Sequence, residues 1–273
     1  MKLEPFTQKA EQVLKLSSWS HISDELVAGF TTKNGGNSEG DFKSFNLGLH
    51  VKDEDNLVIS NRKQLADILR FPLENWVCSE QTHKNNITKV SKKDLGSGVF
   101  TYEGSIKDTD GLYTTEKNIL LTLCYADCVP LYFFAPSNPI IGIAHAGWKG
   151  TVQDIAGEMI RVWGNEGVKP DNIQAIIGPA IGKCCYIVDD YVINFVKKMD
   201  KIDSKPYEIV NDNQYRLDLK ELNYQLMVSA GIPPENIQVS SYCTSCENQN
   251  FFSHRRDAGK TGRMMSFIGF KED

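Results

Sequence analysis

Long apolar runs are absent from this 273-residue chain, and so is any excess of positive charge. No run approaches the roughly 18 residues that cross a bilayer, and the start MKLEPFTQKAEQV lacks the apolar centre of a secretion signal. The 30 basic and 35 acidic residues are mixed along the chain, which leaves no basic face for nucleic acid. We therefore expect a cytoplasmic protein that acts on small molecules and has neither nucleic-acid nor membrane partners.

Two common catalytic patterns are also missing. The chain has no G-x-S-x-G segment, which excludes the serine elbow of the α/β-hydrolases. The GKT segment at 259–261 resembles the end of a phosphate-binding loop, but the glycine that this loop needs at position 254 is His254.

Seven cysteines are an odd number for a disulfide framework, so in a reducing compartment thiols are expected as ligands, nucleophiles or core residues.

Repeats, low-complexity tracts and flexible linkers are not visible either, so we predict a single compact domain over residues 1–273. Apolar periodicity and closing glycines predict helices at 57–70, 151–163, 190–199 and 218–230. Apolar runs predict strands at 119–125, 129–134, 139–145, 172–178 and 237–242. The irregular succession favours an α/β (α+β) fold, with central mixed sheets flanked by helices.

Three residues distant in sequence have the chemistry of a metal site. His83 lies in a polar loop segment, Cys128 follows a predicted strand, and His145 ends another predicted strand. Two imidazoles and one thiolate would leave one position of a tetrahedral zinc open, as in catalytic zinc sites. The long spacings leave two other interpretations open. In one, the histidines are buried or surface residues that bind nothing; in the other, Cys128 is a nucleophile activated by either histidine.

A separate C-x-x-C pair, CTSC at 243–246, has no obvious use. A zinc ribbon needs a second such pair, and the adjacent Cys184 and Cys185 are not expected to supply it. The residues after the pair do not read as the start of a helix, which argues against a thioredoxin-like redox role. We assign these four cysteines no function from the sequence.

Seven segments in order resemble the blocks of the bacterial YfiH/YlmD family, the laccase-domain proteins also called multicopper polyphenol oxidases. The resemblance spans about residues 30 to 267 and lies in GFTTKNGG, FNLGLHV, QTHKNNI, ADCVPLYFF, GIAHAGWKGT, IGPAIGKCCYIV and FFSHRRDAGKTGR. It implies one α/β domain related in fold to the deamidase domain of cytotoxic necrotizing factor toxins. Block by block, it also implies that His83, Cys128 and His145 bind one Zn²⁺, with Cu²⁺ as the alternative.

The activity that this resemblance implies is purine nucleoside chemistry. It comprises phosphorolysis of adenosine, inosine and S-methyl-5′-thioadenosine, together with deamination of adenosine to inosine. Copper-dependent polyphenol oxidation and a Cys-His hydrolase or deamidase are the alternatives. Five histidines are too few to surround several coppers, which favours the single zinc.

Further roles follow for residues in or near these blocks. Asp127 is assigned either proton transfer to the leaving amine or the orientation of a histidine ligand. Arg62, Lys149 and Arg256 are candidates for holding phosphate, and Asn46 is a candidate ribose or base contact. The expected partners are purine nucleosides and phosphate, and a monomer is compatible with the sequence.

Overall fold

The computed structural model describes residues 3–19 and 22–272, in which runs of consecutive strands are interrupted by α-helices at irregular intervals. In chain order the strands are β1 (Phe6–Ala10), β2 (Val13–Leu16), β3 (Leu26–Thr31), β4 (Trp76–Cys78), β5 (Ile87–Lys89), β6 (Gly111–Thr114), β7 (Leu120–Tyr125), β8 (Val129–Ala135), β9 (Ile140–Ala146), β10 (Gln174–Ile177), β11 (Ile187–Asp189), β12 (Tyr207–Asn211), β13 (Gln214–Leu217), β14 (Ile237–Val239) and β15 (Met264–Phe270). The α-helices are α1 (Asp55–Leu69), α2 (Trp148–Val152), α3 (Ile155–Asn165), α4 (Asp190–Lys197) and α5 (Leu219–Ser229).

Two mixed six-stranded sheets form the centre of the fold. The first has the strand order β1-β2-β3-β15-β7-β4, and the second has the order β14-β10-β8-β9-β6-β5. A three-stranded sheet, β11-β13-β12, has no strand pairing with either of them, but its apolar side chains pack in the same cluster as those of the second sheet. Strand β15 follows all other strands in the chain, yet it pairs with β3 on one side and β7 on the other.

The two large sheets pack face to face, and helices cover their outer faces. Strand β8 shows why, because its side chains alternate between two apolar clusters. Leu131 and Phe133 pack in a cluster with α3 and α5, whereas Tyr132 and Phe134 pack in a cluster shared with the first sheet. A third cluster joins α1 to the outer face of the first sheet. The layers are therefore helix, sheet, sheet, helix.

The α/β fold class predicted from the sequence is confirmed. The five predicted strands correspond to β7, β8, β9, β10 and β14, the last of which ends at Val239 rather than at residue 242. The single helix predicted at 151–163 is wrong, because the chain forms α2 and α3 there. Asp154 divides them: its backbone is left-handed, with φ 59°, and its side chain accepts a hydrogen bond from Gly157 N.

The single-domain boundary at 1–273 stays a prediction. Across residues 3–19 and 22–272, the structure contains no helix that combines the length and the apolar character needed to cross a membrane.

Candidate metal centre and cavity

His83, Cys128 and His145 converge beside the β7–β8 connection and the end of β9. Their ligand atoms all lie within 4.8 Å of one another, and the two imidazole rings are 4.8 Å apart at an angle of 80°. His83 lies in the connection from β4 to β5, Cys128 lies in the connection from β7 to β8, and His145 lies on β9. Both connections run from the first sheet to the second, so the trio lies where the chain crosses between sheets.

Asp110, which the sequence reasoning missed, organises this trio. Its carboxylate is fully buried and accepts hydrogen bonds from the backbone amides of Thr82, His83 and Lys84, at 2.9 to 3.1 Å. His83 has a left-handed backbone, with φ 63°, which turns the three successive amides towards one anion. No local pattern marks Asp110 in the sequence, because its partners come from a distant loop.

The same carboxylate fixes the orientation of a second ligand. Asp110 Oδ1 lies 2.9 Å from His145 Nδ1, and because a carboxylate only accepts, Nδ1 carries the proton. His145 Nε2 is then left as the nitrogen that can bind a metal, as in the carboxylate–histidine–zinc arrangement. Burial alone raises the pKa of Asp110, but the bonds from His145, Lys84 and His83 outweigh it and lower that pKa.

The charges around the trio favour the thiolate form of Cys128. Burial raises the pKa of Cys128, but the adjacent His145 and His83 reverse this effect and lower it well below that of a free thiol. Burial lowers the pKa of His145, and the charges of Cys128 and Asp110 raise it above the ordinary value. A thiolate and two imidazoles form the donor set of a catalytic zinc site, so the residues present fit the ion that the family resemblance implies.

Gly147 is needed beside the trio for steric reasons. A Cβ at this position would lie 2.9 Å from Cys128 Sγ and 3.1 Å from His83 Cδ2, closer than side chains tolerate. Any other residue here would displace one of the two ligands. A glycine follows the AHA segment because the backbone there passes too close to Cys128 and His83 to carry a side chain.

A cavity of about 560 Å³ opens beside the trio, within the range of small-molecule sites. All three proposed ligands line it, together with aromatic and cationic side chains. These are His50, Tyr102, Trp148, Lys149, Tyr186, His254, Arg255 and Arg263. The lining combines flat apolar faces with positive charge, which suits a ligand with an aromatic base and an anionic group.

Of the four substrate contacts predicted from the sequence, the structure brings only Lys149 to this cavity. Arg62 lies on the buried face of α1 and donates to the carbonyls of Leu47, Gly98 and Val99 at 2.7 to 3.0 Å. Its guanidinium holds loops together and does not border the cavity.

Asn46 and Arg256 also have internal partners. Asn46 Oδ1 accepts from Arg263 N at 2.8 Å, and its Nδ2 donates to Asp53 at 2.9 Å. Arg256 forms a salt bridge with Asp257 and donates to backbone carbonyls, among them that of Thr244. Arg255, which precedes Arg256, and Arg263, which donates to Asn46, border the cavity instead. Both lie in the block FFSHRRDAGKTGR, which could have identified them.

Asp127 connects three segments beside the site. Its Oδ1 accepts from Thr244 Oγ1 at 2.6 Å, and its Oδ2 accepts from Ser253 Oγ at 3.0 Å and from Arg255 N at 2.9 Å. No hydrogen bond links it to either proposed histidine ligand among the described residues, because Asp110 has that position. Asp127 therefore positions the 253–255 loop, and its part in proton transfer stays a prediction.

Comparison with known proteins gives the same grouping as the ordered blocks. A family model described as multi-copper polyphenol oxidoreductase laccase matches residues 27–271. The chain is 47% identical to "Purine nucleoside phosphorylase YlmD" of Bacillus subtilis, over 98% of both chains. It is 51% identical to the protein of the same name from Geobacillus stearothermophilus, over 90% of this chain and 91% of that one.

Structural similarity extends over the whole fold. The crystal structure of YlmD from Geobacillus stearothermophilus matches with a TM-score of 0.96 and 48% identity, covering 99% of this chain and all of that chain. The region matched by the family model includes the proposed ligands His83, Cys128 and His145, and the structural match covers nearly the whole chain. The chain thus belongs to the YfiH/YlmD family of laccase-like proteins.

Proposed function

We propose that this protein is a metal-dependent purine nucleoside phosphorylase. Its substrates are adenosine, inosine and S-methyl-5′-thioadenosine with phosphate, its products are the free base and the corresponding ribose 1-phosphate, and it also deaminates adenosine. The relatives named purine nucleoside phosphorylase support the general activity. The observation that carries the proposal is a single cavity bordered both by the His83, Cys128 and His145 trio and by arginines.

In phosphorolysis, a phosphate oxygen forms a bond to ribose C1′ while the bond from C1′ to the purine nitrogen breaks. The departing base takes the bonding electrons and a proton. Lys149, Arg255 and Arg263 supply the positive charge that holds the phosphate dianion close to C1′. Arg255 stacks over Tyr186 at 4.9 Å, which keeps its guanidinium at the cavity wall.

Aromatic residues would hold the purine. Tyr102, Trp148 and Tyr186 border the cavity, and Trp148 packs against Tyr191 and Phe195 of α4, which fixes its orientation. His50 lies 5.7 Å from the Tyr102 ring, and burial of the imidazole together with the charge of nearby Arg263 lowers its pKa to about 4. His50 is consequently neutral at working pH and adds no positive charge against the base.

Zn²⁺ held by His83, Cys128 and His145 would supply a hydroxide for deamination at purine C6, because zinc lowers the pKa of its bound water to about 7. Asp127 remains our candidate for passing the proton to the leaving amine. Asp127 itself borders the cavity next to Cys128, which supports this role.

The direct test is product analysis with metal-replete protein under anaerobic conditions. Inosine with phosphate should give hypoxanthine and ribose 1-phosphate, and adenosine should give both adenine and inosine. His145→Ala should lose both activities, whereas Lys92→Ala, which changes an exposed lysine outside the cavity lining, should retain them. Failure of wild-type protein to release any base would refute the phosphorylase proposal, and phenol-dependent oxygen consumption in air would favour the oxidase.

One observation favours a second function. Cys128 contacts His145, and His145 contacts Asp110. These contacts are those of a thiol nucleophile, its base and an orienting carboxylate, as in cysteine hydrolases. In that case iodoacetamide would abolish activity, and metal chelators would leave it unchanged. Chelator-sensitive activity that returns with Zn²⁺ would reject this second candidate.

A further inference from the structure

We infer that Cys184, Cys185, Cys243 and Cys246 form a second, structural metal site that binds Zn²⁺ through four thiolates. All four Sγ atoms lie within 4.8 Å of one another. The sequence-based argument that adjacent cysteines cannot complement the C-x-x-C pair is wrong, because a tight turn places both thiols opposite that pair.

The sulfur separations match a shared central ion. Cys184 Sγ lies 3.6 Å from Cys243 Sγ and 3.5 Å from Cys246 Sγ, and Cys185 Sγ lies 3.3 Å from Cys246 Sγ. A zinc–sulfur bond of about 2.3 Å in a tetrahedron places sulfurs roughly 3.8 Å apart. A disulfide would bring two of them to about 2.05 Å, and all seven cysteines are free thiols. The four thiols therefore surround a common point.

Two turns bring the four thiols together. Cys184 and Cys185 precede β11, and Cys243 and Cys246 follow β14, whose extension forms a parallel bridge between Ala180 and Cys243. Gly182 N donates to Cys243 Sγ at 3.2 Å, a bond that stabilises a thiolate. A Cβ on Gly182 would lie 3.3 to 3.4 Å from the Cys184 and Cys243 sulfurs, so a larger residue would crowd the site.

A buried cation partly balances the charge of such a site. Four thiolates around Zn²⁺ carry a net charge of −2, which needs nearby positive groups. Lys220 of α5 is buried, its Nζ donates to the carbonyls of Ser240 at 2.7 Å and Tyr242 at 3.1 Å, and its charge interacts with Cys243 and Cys184. Its ammonium thus anchors the chain just before the C-x-x-C turn.

The location explains what the ion would do. Ile181 and Tyr186, on either side of the first turn, border the catalytic cavity, whereas none of the four cysteines does. In the second turn, Thr244 Oγ1 donates to Asp127, the neighbour of Cys128. A tetrathiolate zinc would therefore hold the cavity wall in place without touching the substrate.

The test is metal analysis of the full chain, purified under reducing conditions with Zn²⁺ present. Wild-type protein should contain two zinc ions per chain. His145→Ala should keep one, and its X-ray absorption spectrum should show four sulfurs at about 2.3 Å. Cys246→Ser, a change at an exposed position, should lose that ion, and Cys78→Ser, which removes a thiol elsewhere, should keep both.

Three results would overturn the inference. They are wild-type protein without zinc, a wild-type zinc environment with a single sulfur per ion only, or folded His145→Ala protein without metal. The wild-type measurements need no variant, so a misfolded variant leaves the test intact. This site does not rest on the proposed enzyme activity: absence of nucleoside turnover with two zinc ions bound would reject only the proposed function.

Discussion

At the scale of single residues, Asp110 orients two of the three proposed metal ligands. It fixes the protonated nitrogen of His145 and holds the loop that carries His83. We expect Asp110→Asn to lower metal affinity about 10- to 100-fold, since losing such an orienting carboxylate typically has this effect. Competition with a coloured chelator would measure it.

Asp108→Asn is the matched control for this change. Asp108 is two residues away and binds Lys84 and Thr82, but it has no contact with a proposed ligand among the described bonds. Its substitution should leave metal affinity within about twofold of wild type. Equal losses in the two variants would show that Asp110 has no special part in metal binding.

Gly147 gives a second prediction at this scale. Gly147→Ala would place a methyl group 2.9 Å from Cys128 Sγ, so metal affinity and nucleoside turnover should both fall by about tenfold or more while the protein stays folded. Metal titration and far-ultraviolet circular dichroism would check both parts.

Gly164 of α3 provides the opposite case. Nothing lies within 4 Å of a Cβ built there, so Gly164→Ala should leave the metal site unchanged. Because alanine is the better helix former, it should also raise the free energy of unfolding by roughly 0.5–1 kcal/mol. If Gly147→Ala resembled Gly164→Ala in metal affinity, the steric explanation would be wrong.

At the scale of elements, Arg62 ties helix α1 to two loops and is 3% exposed. Arg62→Met should leave buried carbonyls without donors and lower the free energy of unfolding by roughly 3–5 kcal/mol, while Lys63→Ala on the exposed side of α1 should change it by under about 0.5 kcal/mol. Urea unfolding would measure both. A raised KM for phosphate with unchanged stability would instead support the phosphate contact predicted from the sequence.

The elements predicted from sequence share a physical property. Strands β7, β8 and β9 are buried on both faces, so their apolar runs are continuous and visible. Strands β4, β5 and β11 are only three residues long and give no such signal. Similarly, the ligand trio could be inferred from residue chemistry and family blocks, but Asp110 could not, because its importance depends on a distant loop.

At the scale of the whole molecule, the trio links the two large sheets. His83 and Cys128 lie on connections between the sheets, and His145 belongs to the second sheet. Removing the metal should therefore lower the melting temperature by several degrees, since an ion present at 100 times its Kd stabilises by about 2.7 kcal/mol and each kcal/mol corresponds to roughly 2–4 °C.

Calorimetry with and without a chelator would measure this shift. His83→Ala, which cannot hold the ion firmly, should show a smaller chelator effect than wild type. An identical effect in both proteins would mean that the stabilising ion binds elsewhere.

The position of β15 also determines when the site can form. A ribosome translates Met264–Phe270 after every other strand, yet these residues occupy the middle of the first sheet, beside β7 and the connection that carries Cys128. Until they emerge, β3 and β7 lack the partner that lies between them. We therefore expect the trio to be assembled only after β15 has paired with both β3 and β7.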